Sequence, residues 1–364
     1  MQIDFHHATT YVLARLAGFE HSEADIIAYS AQYVDDATNS GVIHFTNNAM
    51  YTHFSSAHKT VDYRNFEELA NHHVWIPFHF LPGNNGRTSG EDPTDNFDEK
   101  IICKPDSPVA KDMVSACIKN KNSPYGLHRL GITMHVYADT WAHQDFAGVN
   151  HKTNDISKLN DEDNPGNSLT SRLKIFFGDK FDDITSKLVG DILPLGHGAA
   201  LSYPDRPYLK WSYKDHNKKK VFRDNTVNFL EASDKLCMAM QRFRIGDANA
   251  NVSGLKDEDK NKIEKLFRDI REEDGEKRHK IWLQHISNGY FSFLPVNLTY
   301  IAKGVGSWKY EALGTTKDTD DKHEKYGYNP SFLKSNWKLF HDALQMHRFY
   351  VIHDLLPQYG ICAA

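Results

Sequence analysis

The sequence predicts an all-α fold, a multi-helix globular domain with long loops. Apolar residues recur at helical spacing along most of the chain. Several of these segments begin at capping residues or end near glycine, as helices do. One of them, residues 125–148, is apolar around nearly its whole circumference, which is typical of a helix buried in the centre of a bundle. We therefore expect one mostly helical domain over residues 1–364.

Two helices are predicted near the start of the chain. Apolar side chains recur at helical spacing over residues 7–17, up to a glycine that suits the end of a helix. The second helix, over residues 22–36, opens with Ser22-x-x-Asp25, which has the form of a capping box. Asp35 continues the apolar face of this helix, and a carboxylate in that position needs a partner.

The middle of the chain is less regular. Clusters of Gly, Asn, Pro and Asp between residues 40 and 125 favour long loops, interrupted by a helix over residues 65–75. The segment 125–148 then predicts one long buried helix. The remaining predicted helices cover residues 167–188, 225–244, 257–285 and 331–355.

The central helix carries the strongest functional pattern. His128, His135, Asp139 and His143 lie within about 80° of one another on a helical wheel, and the last three follow each other in steps of four. Such steps place side chains about 5–6 Å apart at Cβ, so imidazoles and a carboxylate can converge on one or two metal ions. The alternative is a buried His-Asp-His hydrogen-bond ladder. Burial of these groups favours the metal.

Composition narrows the classes of function. The net charge of −5 argues against a surface whose main partner is a nucleic-acid backbone. The four cysteines form no Cys-x-x-Cys pair, so no thiolate zinc site is predicted. Histidine is abundant, with 21 residues that often stand beside aromatic or apolar neighbours, and it is the commonest protein ligand for zinc and related metals.

Further candidate ligands are spread over the first two thirds of the chain. Asp35 and Asp36 end the second predicted helix, where one carboxylate can face the core and the other solvent. The remaining candidates are the N-terminal Asp4, His6 and His7, the histidines His53, His58 and His79 of the loop region, and His197 with Asp205 downstream. His6 and His79 are favoured because phenylalanine flanks them, and His197 because glycines on both sides allow close approach.

Several common catalytic motifs are missing from the sequence. It contains no Gly-x-Ser-x-Gly elbow, no phosphate-binding glycine-rich loop, no dinucleotide-binding fingerprint and no His-Glu-x-x-His. These gaps disfavour the usual serine-hydrolase, kinase, dehydrogenase and metalloprotease chemistries.

The segment LGITMHVYADTWAHQDFAG resembles the central helix of the zinc-dependent phospholipases C and the single-strand-specific zinc nucleases. The resemblance covers mainly this helix and thinly the first 200 residues, and a separate bacterial family of the same architecture is the alternative. It implies an all-α fold with a cluster of two or three zinc or other divalent ions. It implies His135, Asp139 and His143 as ligands, and Asp35 or Asp36 as the acidic residue that ends an early helix.

The rest of the ligand set follows from the same resemblance. A loop histidine, best His79, and a late one, His197, would complete it. Leu201 stands where that family has an acidic residue, so Asp205 would have to serve. Those enzymes also use the amino group of their mature N-terminus. Because this chain starts at Met1 without a leader peptide, we expect the side chain of Asp4 or His6 to substitute.

These observations predict a metal-dependent phosphoesterase-like hydrolase, with Asp35 or Asp36 as the catalytic carboxylate and a small phosphoester or phospholipid as substrate. The alternatives are a metal-binding helical effector or interaction protein without hydrolytic activity and a metal-free helical protein. The metal-site core would occupy about residues 1–215 and a helical C-terminal part about 216–364.

No stretch approaches the roughly 18 apolar residues of a membrane span. We expect a cytoplasmic protein as synthesised, with leaderless secretion as the alternative.

Overall fold

A computed structural model describes residues 1–57, 68–91, 97–163, 196, 200–320 and 323–362. A π-helical segment, Asp4–Thr9, leads into the first helix, and a second one, Tyr350–Leu355, follows the last. The helices are α1 (Thr10–Leu16), α2 (His21–Asp36), α3 (Glu68–Phe78), α4 (Phe97–Ile101), α5 (Pro108–Lys119), α6 (Gly126–Ala142), α7 (Asn225–Ile245), α8 (Asp257–Asp269), α9 (Gly275–Ser287), α10 (Trp308–Leu313) and α11 (Asn336–Phe349).

Two three-stranded sheets accompany the helices. In the first, β1 pairs antiparallel with β2 and parallel with β6, which gives the order β2-β1-β6. The second is an antiparallel meander in the order β3-β4-β5. The strands are β1 (Gly41–Phe45), β2 (Met50–His53), β3 (Ser157–Asp161), β4 (Lys210–Lys214), β5 (Lys220–Asp224) and β6 (Lys325–Tyr326).

The all-α prediction is therefore wrong. Helices account for 53% of the described residues, and the two sheets among them make the fold mixed α and β. The strands are short, between two and five residues, and only nine of their 26 residues are buried, so they leave little apolar periodicity in the sequence. The stretch 40–125, predicted as loops around one helix, also contains β1, β2, α4 and α5.

Several predicted helix bounds also change. The capping box of α2 is formed by Glu20 and Glu23 and not by Ser22 and Asp25. The predicted helix 257–285 is two helices, because the chain leaves the helical conformation at Ile270 and the Asp274 side chain caps α9. The helix predicted over 167–188 lies outside the described residues.

The central helix ends earlier than the sequence indicates. Its last helical residue is Ala142, and His143 is the C-cap, with φ −90° and ψ 10°. Nearly every side chain of α6 is buried, in agreement with the apolar circumference of the sequence. The helix runs through the main core, which joins both ends of the chain. Its members run from Met1 to Ile361, and Phe5 packs edge-to-face on Phe229 of α7 with ring centroids 5.3 Å apart.

Helix α2 packs very closely on α6. The contact point is Gly131, where a Cβ atom would lie 2.3 Å from the carbonyl oxygen of Ile27 and 2.6 Å from Cβ of Ser30. Only glycine permits this approach. It brings the end of α2, with Asp35, beside His135 on α6.

Within the described part of the chain, no helix is both long and apolar enough to cross a lipid bilayer.

Candidate metal centre

The centre is built around Asp139, a carboxylate that is 1% exposed. Its Oδ2 lies 3.3 Å from Nε2 of His135, one turn earlier on α6, and 3.5 Å from Nδ1 of His79. Its Oδ1 lies 3.2 Å from Nε2 of His6 and 2.7 Å from the α-amino nitrogen of Met1. The two oxygens of one buried carboxylate thus face two different sets of nitrogen donors.

Three of the imidazoles are held by backbone carbonyl groups. His135 donates from Nδ1 to the Ala31 carbonyl at 2.8 Å. His79 donates from Nε2 to the Ser56 carbonyl at 2.9 Å, and His143 donates from Nδ1 to the carbonyl of His79 at 2.7 Å. A carbonyl only accepts, so each bond fixes which ring nitrogen carries the proton. In the neutral rings, the opposite nitrogens are unprotonated.

Two of these unprotonated nitrogens meet at the centre. Nε2 of His135 and Nδ1 of His79 lie 3.3 Å apart, and Oδ1 of Asp35 lies 3.8 Å from each. Two lone pairs at this distance repel each other unless a proton or a cation lies between them. Burial alone would lower the pKa of His79, but Asp139 and Asp35 outweigh it and raise that pKa above 6.5. The cluster, by which we mean His6, Asp35, His79, His135, Asp139 and His143, therefore attracts positive charge.

The N-terminus lies on the other side of Asp139. The Met1 amine is buried, 2.7 Å from Asp139 and 3.3 Å from Oδ1 of Asp205. Burial disfavours its charged form, yet the two carboxylates prevail and raise its pKa from 8.0 to about 11. His6 stacks on His135 with ring centroids 3.8 Å apart. Burial lowers the pKa of His6 well below 6.5.

The donor chemistry fits divalent metal ions. His6, His135 and Asp139 offer one set of converging ligand atoms, and Asp35, His79 and His135 offer another. Within the described part of the chain, neither ring nitrogen of the buried His6 makes a well-aligned hydrogen bond, which leaves Nε2 available as a ligand. Imidazole nitrogens with carboxylate oxygens are the ligands that zinc and similar ions prefer.

The electrostatics of Asp139 agree with this view. Burial alone would raise its pKa, but His143, the Met1 amine, His135 and His6 lower it well below 3.8. A buried carboxylate that stays ionised needs compensating positive charge. Divalent ions would supply more of it than the single amine does.

One edge of the centre is open to solvent. The side chain of Asp35 is 32% exposed, whereas those of His135 and Asp139 are almost fully buried. Asp36, the neighbouring candidate, belongs to a different network. It accepts hydrogen bonds from the Tyr300 hydroxyl at 2.7 Å and from the Gln32 amide at 3.1 Å.

The structure brings together six of the residues named from the sequence pattern: His6, Asp35, His79, His135, Asp139 and His143. Asp205, expected only as a substitute for a missing acid, also lies there, with Oδ1 3.8 Å from Nε2 of His143. His58 and His197 fall outside the described residues.

Four other candidates have different partners. The structure corrects the prediction that the Asp4 side chain replaces a terminal amine as a ligand, because its carboxylate pairs with Arg278. His7 bonds to His279 at 2.9 Å, His53 lies 2.5 Å from Asp320, and His128 contacts Asn336 at 3.1 Å. His128 shares the face of α6 with the cluster but lies two turns before His135. Position on a helix face alone therefore did not identify the residues that converge.

The Met1 amine is the group that sequence reasoning passed over. No residue pattern marks a terminal amine as a ligand, and the only indication was the resemblance of the central helix, in whose family such an amine is used. The sequence predicts side chains in its place. The structure puts both the amine and His6 at Asp139.

The model of one protein family, DUF6765, matches residues 1–355, and its description is a family of unknown function. No curated protein and no solved structure matches the chain.

Proposed function

We propose that this chain, which belongs to the DUF6765 family because that match spans nearly its whole length, is a metal-dependent phosphoesterase-like hydrolase. Its ligands would be the imidazoles of His6, His79, His135 and His143, the carboxylates of Asp35, Asp139 and Asp205, and the Met1 amine. The substrate class would be a small phosphoester or a phospholipid.

One observation supports this proposal above all. His135 and His79 each use one ring nitrogen on a backbone carbonyl and turn the other to a shared point, 3.3 Å apart, next to ionised Asp139. A hydrogen-bond ladder would instead alternate donors and acceptors. Carbonyl groups that orient ligand imidazoles are the usual outer shell of a metal site.

The open edge supports hydrolysis over a purely structural ion. Divalent ions at such a centre lower the pKa of water and neutralise charge on a phosphoryl oxygen. Asp35 is the most exposed carboxylate there, so a substrate can reach it, and its role would be to orient water or accept its proton. Buried Asp139 would hold the cluster together. The reaction class itself rests on the resemblance of the central helix.

The test begins with the metal content of the purified full-length chain. We expect two or three equivalents of zinc or a similar ion, and turnover of bis-p-nitrophenyl phosphate or p-nitrophenyl phosphate. His135→Ala and Asp139→Asn should lose both metal and turnover. His128→Ala is the matched control, because His128 is a buried histidine of the same helix that bonds to Asn336 outside the cluster.

The outcomes separate the alternatives. Metal without turnover of either phosphoester would favour the metal-binding effector protein and contradict the hydrolase. A wild-type chain that binds no metal after incubation with Zn²⁺ would contradict both. Equal metal loss in His128→Ala would show that the effect is not specific to the cluster.

A further inference from the structure

The N-terminal segment reaches the metal centre through an anchor in the C-terminal part of the chain. In the sequence, Asp4 lies between Met1 and His6, the two residues whose nitrogens face Oδ1 of Asp139. Its carboxylate is 1% exposed and is bound by Arg278 on α9, through Nε at 2.7 Å and Nη2 at 3.1 Å. This two-oxygen contact fixes both the position and the orientation of the carboxylate.

Arg278 is fully buried, and all its donors are used. Nη2 also donates to the side chain of Gln2 at 2.7 Å, and Nη1 donates to the carbonyls of Glu272 and Glu273 at 2.8 and 2.9 Å. With the bonds to Asp4, these account for the five N–H groups of a guanidinium. Two side chains of the N-terminal segment and the backbone before α9 are thus held by one group.

The anchored residues connect directly to the two donors. The backbone amide of His6 donates to the carbonyl of Gln2 at 2.9 Å, so Gln2 positions His6 as well as the preceding Met1. Gly275, the first residue of α9, leaves room for this approach, since a Cβ there would lie 2.5 Å from Oε1 of Gln2. The hydrogen bonds of Arg278 described above go to Gln2, Asp4 and the backbone before α9, and none goes to the Met1 amine or to His6.

We propose that Arg278 is a positioning residue of the metal centre, which sets the Met1 amine and His6 against Asp139 by clamping Gln2 and Asp4. The inference rests on the proposed metal site. It gives the C-terminal part of the chain a role, because the centre is complete only when α9 is docked on the N-terminal segment.

The experiment measures Zn²⁺ affinity of the full-length chain by competition with a chromophoric chelator, well below the melting temperature. Arg278→Met should weaken binding by about 10- to 100-fold, as loss of an outer-shell partner does. Arg278→Lys keeps the charge but loses the two-oxygen contact, and we expect a smaller loss. If Arg278→Met does not fold by circular dichroism, Arg278→Lys against wild type carries the test.

The control is Lys309→Met, which breaks a partly buried ion pair, with Asp320 at 2.8 Å, outside the cluster. Its Zn²⁺ affinity should equal that of the wild type. Co²⁺ provides a second reading, because the visible spectrum of the Co²⁺-loaded chain should change in the Arg278 variants only.

Unchanged affinity and spectrum in both Arg278 variants would overturn the positioning role and leave the metal site standing. The same loss in Lys309→Met would also overturn it, since general destabilisation would then be the cause. A wild-type chain without metal would overturn both proposals. Lack of phosphoester turnover in a chain that binds Zn²⁺ would bear on the proposed hydrolysis alone.

Discussion

The α-amino group of Met1 is the least ordinary member of the cluster. Among the donors in the described residues it alone comes from no side chain, and it contacts two carboxylates, Asp139 and Asp205. In a chain that continues before Met1, this nitrogen is an amide, which carries no charge and is a poor ligand. The contribution of the amine can therefore be tested without changing any residue of the cluster.

Two residues, Gly-Ser, added before Met1 should weaken Zn²⁺ binding. The added peptide bond removes the positive charge beside Asp139 and places new backbone in a buried space, which costs free energy unless its polar groups are paired. We expect a loss of about 10-fold or more, measured by chelator competition. The same two residues added after position 364 are the control, and equal affinities of the two chains would contradict a role for the amine.

Asp35 and Asp36 are adjacent in sequence but have different surroundings. Asp35 faces the histidines of the cluster, and Asp36 accepts from Tyr300 and Gln32. Asp35→Asn should reduce phosphoester turnover by about 100-fold or more, the usual contribution of a positioned proton acceptor, with a smaller loss of bound metal. Steady-state rates and metal analysis on the same samples give both values.

Asp36→Asn is the matched control for that variant. Asparagine still accepts the Tyr300 hydroxyl hydrogen bond through its amide oxygen, so turnover should stay close to that of the wild type. If Asp36→Asn lost as much activity as Asp35→Asn, the assignment of the catalytic carboxylate to Asp35 would fail.

The sequence predicted the part of the cluster whose residues lie close together along the chain. Steps of four along one helix predicted His135, Asp139 and His143 as neighbours, and the distances in the structure agree. The contacts that fix the ring tautomers involve carbonyl groups of Ala31 and Ser56. No side-chain pattern encodes these long-range backbone contacts, so sequence alone could not supply them.

At the scale of elements, the crossing of α2 and α6 determines how close Asp35 comes to His135. Gly131 is the residue on which this crossing depends. Gly131→Ala should destabilise the chain by about 1–3 kcal/mol through overpacking, although alanine favours a helix more than glycine does. It should also weaken Zn²⁺ binding, because α2 has to move away from α6. Urea unfolding and chelator competition measure the two effects.

Gly327→Ala is the control for that substitution. No heavy atom of the described residues lies within 4 Å of a Cβ built at Gly327, so the added methyl group has space. We expect little change in stability or in metal affinity. A Gly131→Ala chain as stable as the wild type, with the same affinity, would show that α2 and α6 can separate without cost.

The helices were easier to predict than the strands. A buried helix such as α6 repeats its apolar face over several turns, whereas β6 has two residues and pairs with β1 from far along the chain. Strand pairing of this kind depends on contacts that sequence periodicity does not contain. The break between α8 and α9 was missed because the segments on both sides of it have helical periodicity.

For the whole molecule, buried neutral histidines predict sensitivity to acid. Burial lowers the pKa of His128 and of His279 to about 4, and that of His347 to about 3. In the unfolded chain these groups titrate near 6.5. Their stabilising effect is therefore complete above about pH 6.5 and is lost as the pH falls towards 4, at about 1.4 kcal/mol per pH unit for each histidine.

The measurement is the free energy of unfolding in urea from pH 7.5 to 4.5, with a chelator present so that metal ligation does not contribute. His128→Gln keeps an amide that can bond to Asn336 but does not titrate. Its stability should fall with acid less steeply than that of the wild type, by about 1.4 kcal/mol per pH unit. Identical slopes would mean that His128 accepts a proton in the folded chain as easily as in the unfolded one.

Metal removal tests how far the centre holds the molecule together. Its donors come from widely separated parts of the chain, including Met1, Asp35, His79, Asp139 and Asp205. An ion bound there stabilises only the folded chain, by about 2.7 kcal/mol when free metal exceeds its dissociation constant 100-fold. Chelation should therefore lower the melting temperature of the wild type, and the shift should grow with the logarithm of the Zn²⁺ concentration before chelation. Asp139→Asn should melt at the same temperature with and without chelator, and an unshifted wild type would mean that no ion links these segments.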